Sequence, residues 1–258
     1  MSNLQFIYAT DLHGNCKKYR NVLKFAIDNK INLIHLGADI LPKNYDDFIV
    51  SQKYFLRYFL FNFYEECEMH NIKVLASFGN DDVYVLKKYF MKFDCLLDEN
   101  PYVVDSFKFI AYNYVPDYPF GLKTACKLDS IGCSLQEDYL SSPIDIMSDE
   151  SIIEINNIGE YFRLAGTIEG DLSKLKCCDN DIVAFHCPPA YVDLDVCSNG
   201  RRVGSHSIYE WIKREQPKLV LCGHIHESYD VTNKWKANIG KTLVIQPGQC
   251  KKNKNSFM

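Results

Sequence analysis

Short apolar runs bounded by polar turns dominate the first hundred residues of this chain. "LQFIYA" (4–9), "INLIHLG" (31–37) and "KVLASFGN" (73–80) read as strands, the last one ending in a turn. Between the first two, Tyr19, Val22, Leu23 and Ala26 recur at helical spacing, and a longer helical pattern covers roughly 45–70. In that longer helix Leu56, Phe59, Leu60, Phe63 and Cys67 share one face, while Tyr54, Tyr58 and Phe61 put aromatic surface on the other sides. A helix apolar nearly all round is covered on more than one side, by the core or by a partner. Strand–helix–strand order predicts a parallel sheet with crossover helices.

The stretch from about 100 to 180 reads differently. "YVVD", "FKFIAYNYV" and "YFRLAG" are β-rich, and "SSPIDIMSDESIIEI" between them reads as loop, with an insertion around 117–150. Alternation then returns with "DIVAFH" (181–186), a helix near 206–215, "KLVLCGH" (218–224) and "KTLVIQPG" (241–248). This resumption fits a single domain over 1–258 with two sheets packed together. The polar tail "KKNKNSFM" is expected to fray.

Polar residues suited to metal binding follow five of these strand patterns. Asp11 and His13 lie in "DLHG", Asp39 in "GADILPK", and Asn80 with Asp81 in "GNDD". His186 opens "HCPP", and "LCGHIHES" carries His224 and His226. Each has an ordinary structural explanation alone: Asp11 as a helix cap, Asp39 and Asn80 as turn residues, His186 as a core histidine. Together they form an ordered series at strand ends, and parallel sheets place ligand sites at the carboxyl ends of their strands. Asp, His and Asn without cysteine suit Mn²⁺ first, with Fe or Zn²⁺ as alternatives. Seven ligands exceed what one ion with an open position uses, so two divalent ions are implied. Such a pair needs a bridging carboxylate and can share a hydroxide.

Composition narrows the setting. Of 258 residues, 47% are apolar, enough for a substantial core, and the net charge of −4 argues against nucleic-acid binding. The 11 cysteines are irregularly spaced, odd in number and without a C-x-x-C pair, which reads as reduced thiols in a cytoplasmic protein. No signal-peptide pattern opens the chain, and no apolar stretch approaches a membrane span of ~20 residues.

The motifs "DLHG", "GAD", "GND", "FHCPP" and "GHIH" resemble those of the calcineurin-like metallophosphoesterases, whose usual pattern is D-x-H, G-D, G-N-H, H and G-H-x-H. "GADILPK" and "LCGHIHES" look closer to a prokaryotic branch of cytosolic phosphoesterases within that family. The resemblance implies an α/β fold of two packed mixed sheets flanked by helices, a four-layer αββα sandwich. It implies that Asp11, His13 and His226 bind one ion, that Asn80, His186 and His224 bind the other, and that Asp39 bridges them. Two dications, two carboxylates and a bridging hydroxide leave one positive charge, which suits a phosphorylated small-molecule or nucleotide substrate. The implied reaction is in-line attack of the bridging hydroxide on a phosphodiester or activated phosphate ester. Whether the chain forms a homo-oligomer stays open.

One departure stands out. Asp81 occupies the place of the family's usual histidine, the group commonly assigned to leaving-group protonation. Beside two dications a carboxylate is expected to be ionised and a poor proton donor; Asp81 could instead orient a ligand or cap the helix pattern after it. His206 is a substitute acid by position, and Arg201 and Arg202, flanked by glycines, are candidate phosphate contacts. His35 reads as a satisfied core histidine, His70 as a surface residue, and "QPGQ" (246–249) as a tight turn near the site. The alternative to an enzyme is a catalytically silent member of the fold acting as an interaction scaffold.

Overall fold

The first three strands are short, and each hands over directly to a loop. In the computed structural model, which describes residues 4–44, 47–90, 93, 95–97, 101–148 and 151–249, these are β1 (Ile7–Ala9), β2 (Leu33–Leu36) and β3 (Lys73–Ala76). They pair in parallel in that order. Parallel neighbours need crossovers. Helix α1 (Cys16–Asp28) supplies the first, and α2 (Phe48–Phe55), a π-helical turn at Leu56–Leu60 and α3 (Phe61–Met69) supply the second. A 3-10 turn at Tyr84–Tyr89 follows.

The second half builds on β4 (Tyr102–Val104), β5 (Phe107–Tyr112), the hairpin strands β6 (Ile144–Ser148) and β7 (Ser151–Glu154), α4 (Ile158–Ala165), α5 (Ile168–Leu172) and β8 (Asp181–Phe185). It continues with α6 (His206–Glu215), β9 (Leu219–Leu221), α7 (Ser228–Thr232), β10 (Lys236–Ile239) and β11 (Thr242–Ile245). Six of these strands form a mixed sheet in the order β10-β11-β9-β8-β5-β4. Its centre is parallel and its edge pairs, β10–β11 and β4–β5, are antiparallel.

Side-chain alternation along the strands shows four layers. Leu33, Leu75, Phe109, Ile182, Ala184 and Leu221 point from the two sheets into one shared core. Their neighbours Ile34, Leu36, Val74 and Ala76 point the other way, against the α1–α3 helices. Val183, Phe185 and Val220 likewise meet the α4–α6 layer, with Trp211 at its centre. Burial on both faces explains why the strands read as unbroken apolar runs. The fold is the two-sheet αββα sandwich that the sequence predicts, with one difference: among the described residues only the six-stranded sheet is mixed.

Tyr19 shows how the helices reach the functional loops. It is fully buried, packs edge-on against Phe63, and donates its hydroxyl to the carbonyl of Ile40 at 2.7 Å, one residue past Asp39. Removing such a ring costs about 3–5 kcal/mol. The long helix is covered on two sides: Phe61 meets Phe90 and Phe93, while Tyr54 and Tyr58 stay exposed and lie ring to ring at 4.4 Å.

Several local expectations are corrected. "YFRLAG" is helical, not β, because Asn157 caps α4 by accepting from Glu160 N and the segment buries Phe162 on one face. "SSPIDIMSDESIIEI" contains the β6–β7 hairpin rather than loop alone, and Ile146 sits in the first helix-side core. His35 is in the core but is not satisfied: it lies between the sheets beside Tyr8 and Phe109, and neither ring nitrogen has a hydrogen-bond partner. His70 is exposed at the end of α3. Ten described cysteines are free; Cys250 and the tail lie outside the described residues. Among the described residues no helix is long and apolar enough to cross a membrane.

Candidate metal centre

All five expected loops meet at one edge of the sandwich. Asp11 and His13 follow β1, Asp39 follows β2, Asn80 and Asp81 follow β3, His186 follows β8, and His224 with His226 follows β9. Four of these residues, Asp11, His13, Asp39 and His224, have left-handed backbones with φ of 54°, 45°, 53° and 69°. Non-glycine residues avoid this region unless the surroundings impose it, and such strain concentrates at functional sites. Here hydrogen bonds impose it: Asp11 N donates to Ala38 O, His13 N to Asp39 O and Gly223 N to His186 O, at 2.9 to 3.0 Å.

The ligand side chains fall into two groups. In the first, His226 Nε2 lies 3.3 Å from Asp11 Oδ1 and 3.2 Å from His13 Nε2. In the second, His186 Nε2 lies 3.2 Å from Asp39 Oδ2, 3.2 Å from His224 Nδ1 and 2.9 Å from Asn80 Oδ1. Asn80 Nδ2 donates to Asp81 Oδ1 at 3.1 Å, which turns the amide oxygen toward His186. Asp39 Oδ2 is also 3.8 Å from His13 Nε2, so one carboxylate faces both groups. Separations near 3 Å between donor atoms are those of neighbouring ligands on one ion with bonds of ~2.0–2.1 Å. The donor set is oxygen and imidazole only, since Cys187, next to His186, turns away to the Tyr118 hydroxyl at 3.2 Å. These residues fit a pair of divalent ions.

Protonation supports the fit. Burial disfavours the ionised carboxyl of Asp11, but the hydrogen bond and charge of His226 hold it below its usual range. Burial is outweighed at Asp39 too, chiefly by His186. Burial also opposes a charged His186, yet Asp39 raises it to about 9; His226 is raised as well, through Asp11. His224 is pushed down to about 3 by burial and then by His186, and burial lowers His13. In each group a carboxylate is held low beside one imidazole that it raises, while a second imidazole is lowered.

Two glycines are required for space. A Cβ on Gly79 would lie 2.2 Å from Asp39 Oδ1, and one on Gly223 would lie 2.5 Å from Asp11 Oδ2. The helix-cap explanation does not hold for Asp11 or Asp81, whereas Asp81 does orient a candidate ligand through Asn80. Asn15 caps α1, accepting from Lys17 N and Lys18 N, while Asp11 accepts the His224 N–H. Asp81 caps nothing: its Oδ2 is 2.6 Å from Lys43 Nζ and 4.0 Å from His13 Nδ1. In the protein alone, burial and then Asp39 push Asp81 up to about 6 against the pull of Lys43. The ionised Asp81 expected from sequence therefore depends on the charge of bound cations.

The softer sequence candidates go elsewhere. His206 begins α6, where its N–H donates to Asp129 Oδ2 at 3.0 Å and its ring meets Tyr191 edge-on. Arg202 pairs with Asp193 at 2.6 Å, and Arg201 N donates to Asn199. None of the three forms a hydrogen bond or ion pair with the seven ligands. The "QPGQ" turn does reach the site: Gln249 Nε2 donates to Asp11 O, and its N–H to His226 O. Three contributors carry no sequence signal. The Tyr118 ring stacks on His224 at 4.7 Å and 24°, Phe120 meets the same ring edge-on at 6.4 Å, and Lys43 closes on Asp81.

A family model of the calcineurin-like phosphoesterases matches residues 4–228, which include all seven candidate ligands. The chain belongs to the calcineurin-like phosphoesterase family. No curated protein matches it closely. Among solved structures, the chain superposes on TT1561 of Thermus thermophilus with a TM-score of 0.51 at 14% identity, over 95% of this chain and 88% of that one. A dimetal phosphatase from Danio rerio, LOC 393393, aligns with a TM-score of 0.49 at 10% identity, over 93% and 86% of the two chains. The likeness to TT1561 is one of fold. Family and ligand cluster together support a metal-dependent phosphoesterase.

Proposed function

We propose that the protein is a dinuclear metal-dependent phosphoesterase that hydrolyses a phosphodiester or an activated phosphate ester by in-line displacement. The observation that carries this reading is the position of Asp39, whose Oδ2 faces His186 at 3.2 Å and His13 at 3.8 Å, between two ligand groups. Asp11, His13 and His226 would hold one ion, Asn80, His186 and His224 the other, with Asp39 shared. Bound ions would polarise phosphoryl oxygens and supply a hydroxide nucleophile near neutral pH. Mn²⁺ suits the oxygen and imidazole donors, and free cysteines suit a reducing cytoplasm.

The chain's own residues prepare the site. The His224 N–H fixes the Asp11 carboxylate, Asp81 N–H fixes Asp39 Oδ1 at 2.9 Å, and Tyr118 holds the His224 ring in plane. The test is metal content, together with turnover of phosphomonoesters, diesters and cyclic nucleotides with Mn²⁺. Two ions per chain and hydrolysis of at least one class support the reading. Two ions without turnover of any class would favour the scaffold.

A further inference from the structure

We propose that Lys43 is a substrate contact. Its ammonium donates to a phosphoryl or leaving-group oxygen at the mouth of the metal centre, in place of the histidine that a G-N-H triplet would supply. This rests on the phosphoesterase reading above. Lys43 Nζ lies 2.6 Å from Asp81 Oδ2, and 29% of its side chain is exposed against 5% for Asp81, so the pair runs from the buried cluster outward. The same ammonium sits over the Phe120 ring, 5.3 Å from its centroid. Both anchors lead to ligands, Asp81 to His13 at 4.0 Å and Phe120 to His224 at 6.4 Å. Lys43 is thus linked through Asp81 to one ligand group and through the Phe120 ring to the other.

The competing explanation is a structural clasp between the loops after β2 and β3. Those loops are already joined without it. Asp82 accepts from Gly79 N, Ile40 N and Leu41 N at 2.8, 3.1 and 2.7 Å. Gln52 Nε2 donates to Pro42 O at 3.1 Å and Asp81 O at 2.7 Å. Charge also favours substrate contact. Hydrogen bonding to a charged donor stabilises an anionic oxygen without any proton transfer.

The test compares wild type, Lys43→Ala and Lys43→Arg, each supplied with Mn²⁺, for bound metal, thermal stability and calorimetric affinity for inorganic phosphate. Lys43→Ala is expected to keep wild-type metal content and melting temperature but to bind phosphate about ten- to a hundredfold more weakly, the loss typical of one charged hydrogen bond. Lys43→Arg should recover much of that affinity, and alkyl esters should slow more than aryl esters in Lys43→Ala. Unchanged phosphate affinity in Lys43→Ala overturns the proposal, as does a loss that accompanies lost metal or lost stability. If phosphate affinity depends on Lys43 while wild type hydrolyses no ester, the anion contact stands and the phosphoesterase reading fails. A wild type that takes up no Mn²⁺ overturns both.

Discussion

The main-chain N–H of His224 donates to both carboxylate oxygens of Asp11, at 3.0 and 3.1 Å. A residue of one ligand group thus positions the carboxylate of the other through its backbone, and Gly223 leaves the room for it. Gly223→Ala would place a methyl 2.5 Å from Asp11 Oδ2 and 2.4 Å from Thr10 Oγ1, so the carboxylate must move. Metal affinity at the Asp11 group should fall about 10–100-fold, as when an outer partner of a ligand is lost. Titration with Mn²⁺ followed by calorimetry measures it; unchanged affinity would show that the contact does not set the ligand.

Asp39 and His13 should behave differently when removed. Asp39→Ala takes one ligand from each group, so both ions should be lost or weakened together. His13→Ala removes a ligand from one group, and close to one ion per chain should remain. Metal analysis after desalting separates the outcomes. Equal, single-ion losses would place Asp39 in one group only.

Metal uptake should release protons. His186, raised to about 9 by Asp39, holds a proton at pH 7, and a ligand imidazole must be neutral. Affinity should therefore rise with pH up to about 9, and the uptake heat should change with the ionisation enthalpy of the buffer. The metal-free protein should follow the opposite course. A raised folded-state value contributes stability that is fully present below the unfolded value of about 6.5 and is lost as pH rises through about 9. Buffer-independent heats would contradict the assignment.

His35 offers a stability prediction away from the site. Burial pushes it down to about 3, so the unfolded chain binds a proton that the folded core rejects. Stability should fall as pH drops from about 6.5 toward about 3. With both ring nitrogens unpartnered beside Phe109 and Tyr8, His35→Phe should stabilise the protein by about 1–3 kcal/mol, the cost of an unmade buried hydrogen bond. Urea denaturation at pH 5 and pH 8 tests this, with the larger gain at pH 5. A destabilised variant would mean that packing, not polarity, decides the position.

The convergence of the seven candidate ligands was legible in sequence because parallel strands end at one edge, and each candidate lies within five residues of a strand end. The two-sheet sandwich was legible because strands buried on both faces are apolar without alternation. What escaped depends on contacts between loops distant in sequence. Lys43 meets Asp81 across two loops, and Tyr118 reaches His224 from a segment whose shape depends on the fully buried Lys123, paired with Asp117 at 2.9 Å. No local spacing encodes such pairs. His206 and Arg202 were singled out from local context alone; in the structure the main-chain N–H of His206 goes to Asp129 and the guanidinium of Arg202 pairs with Asp193.

The central claim is that one carboxylate, Asp39, joins two ions held by these loops. An anomalous-scattering map from crystals grown with Mn²⁺ tests it most directly. The account predicts two peaks, one among Asp11, His13 and His226 and one among Asn80, His186 and His224, with Asp39 contacting both and the ions about 3.5–4 Å apart. A single peak, or two peaks that do not share Asp39, would contradict it.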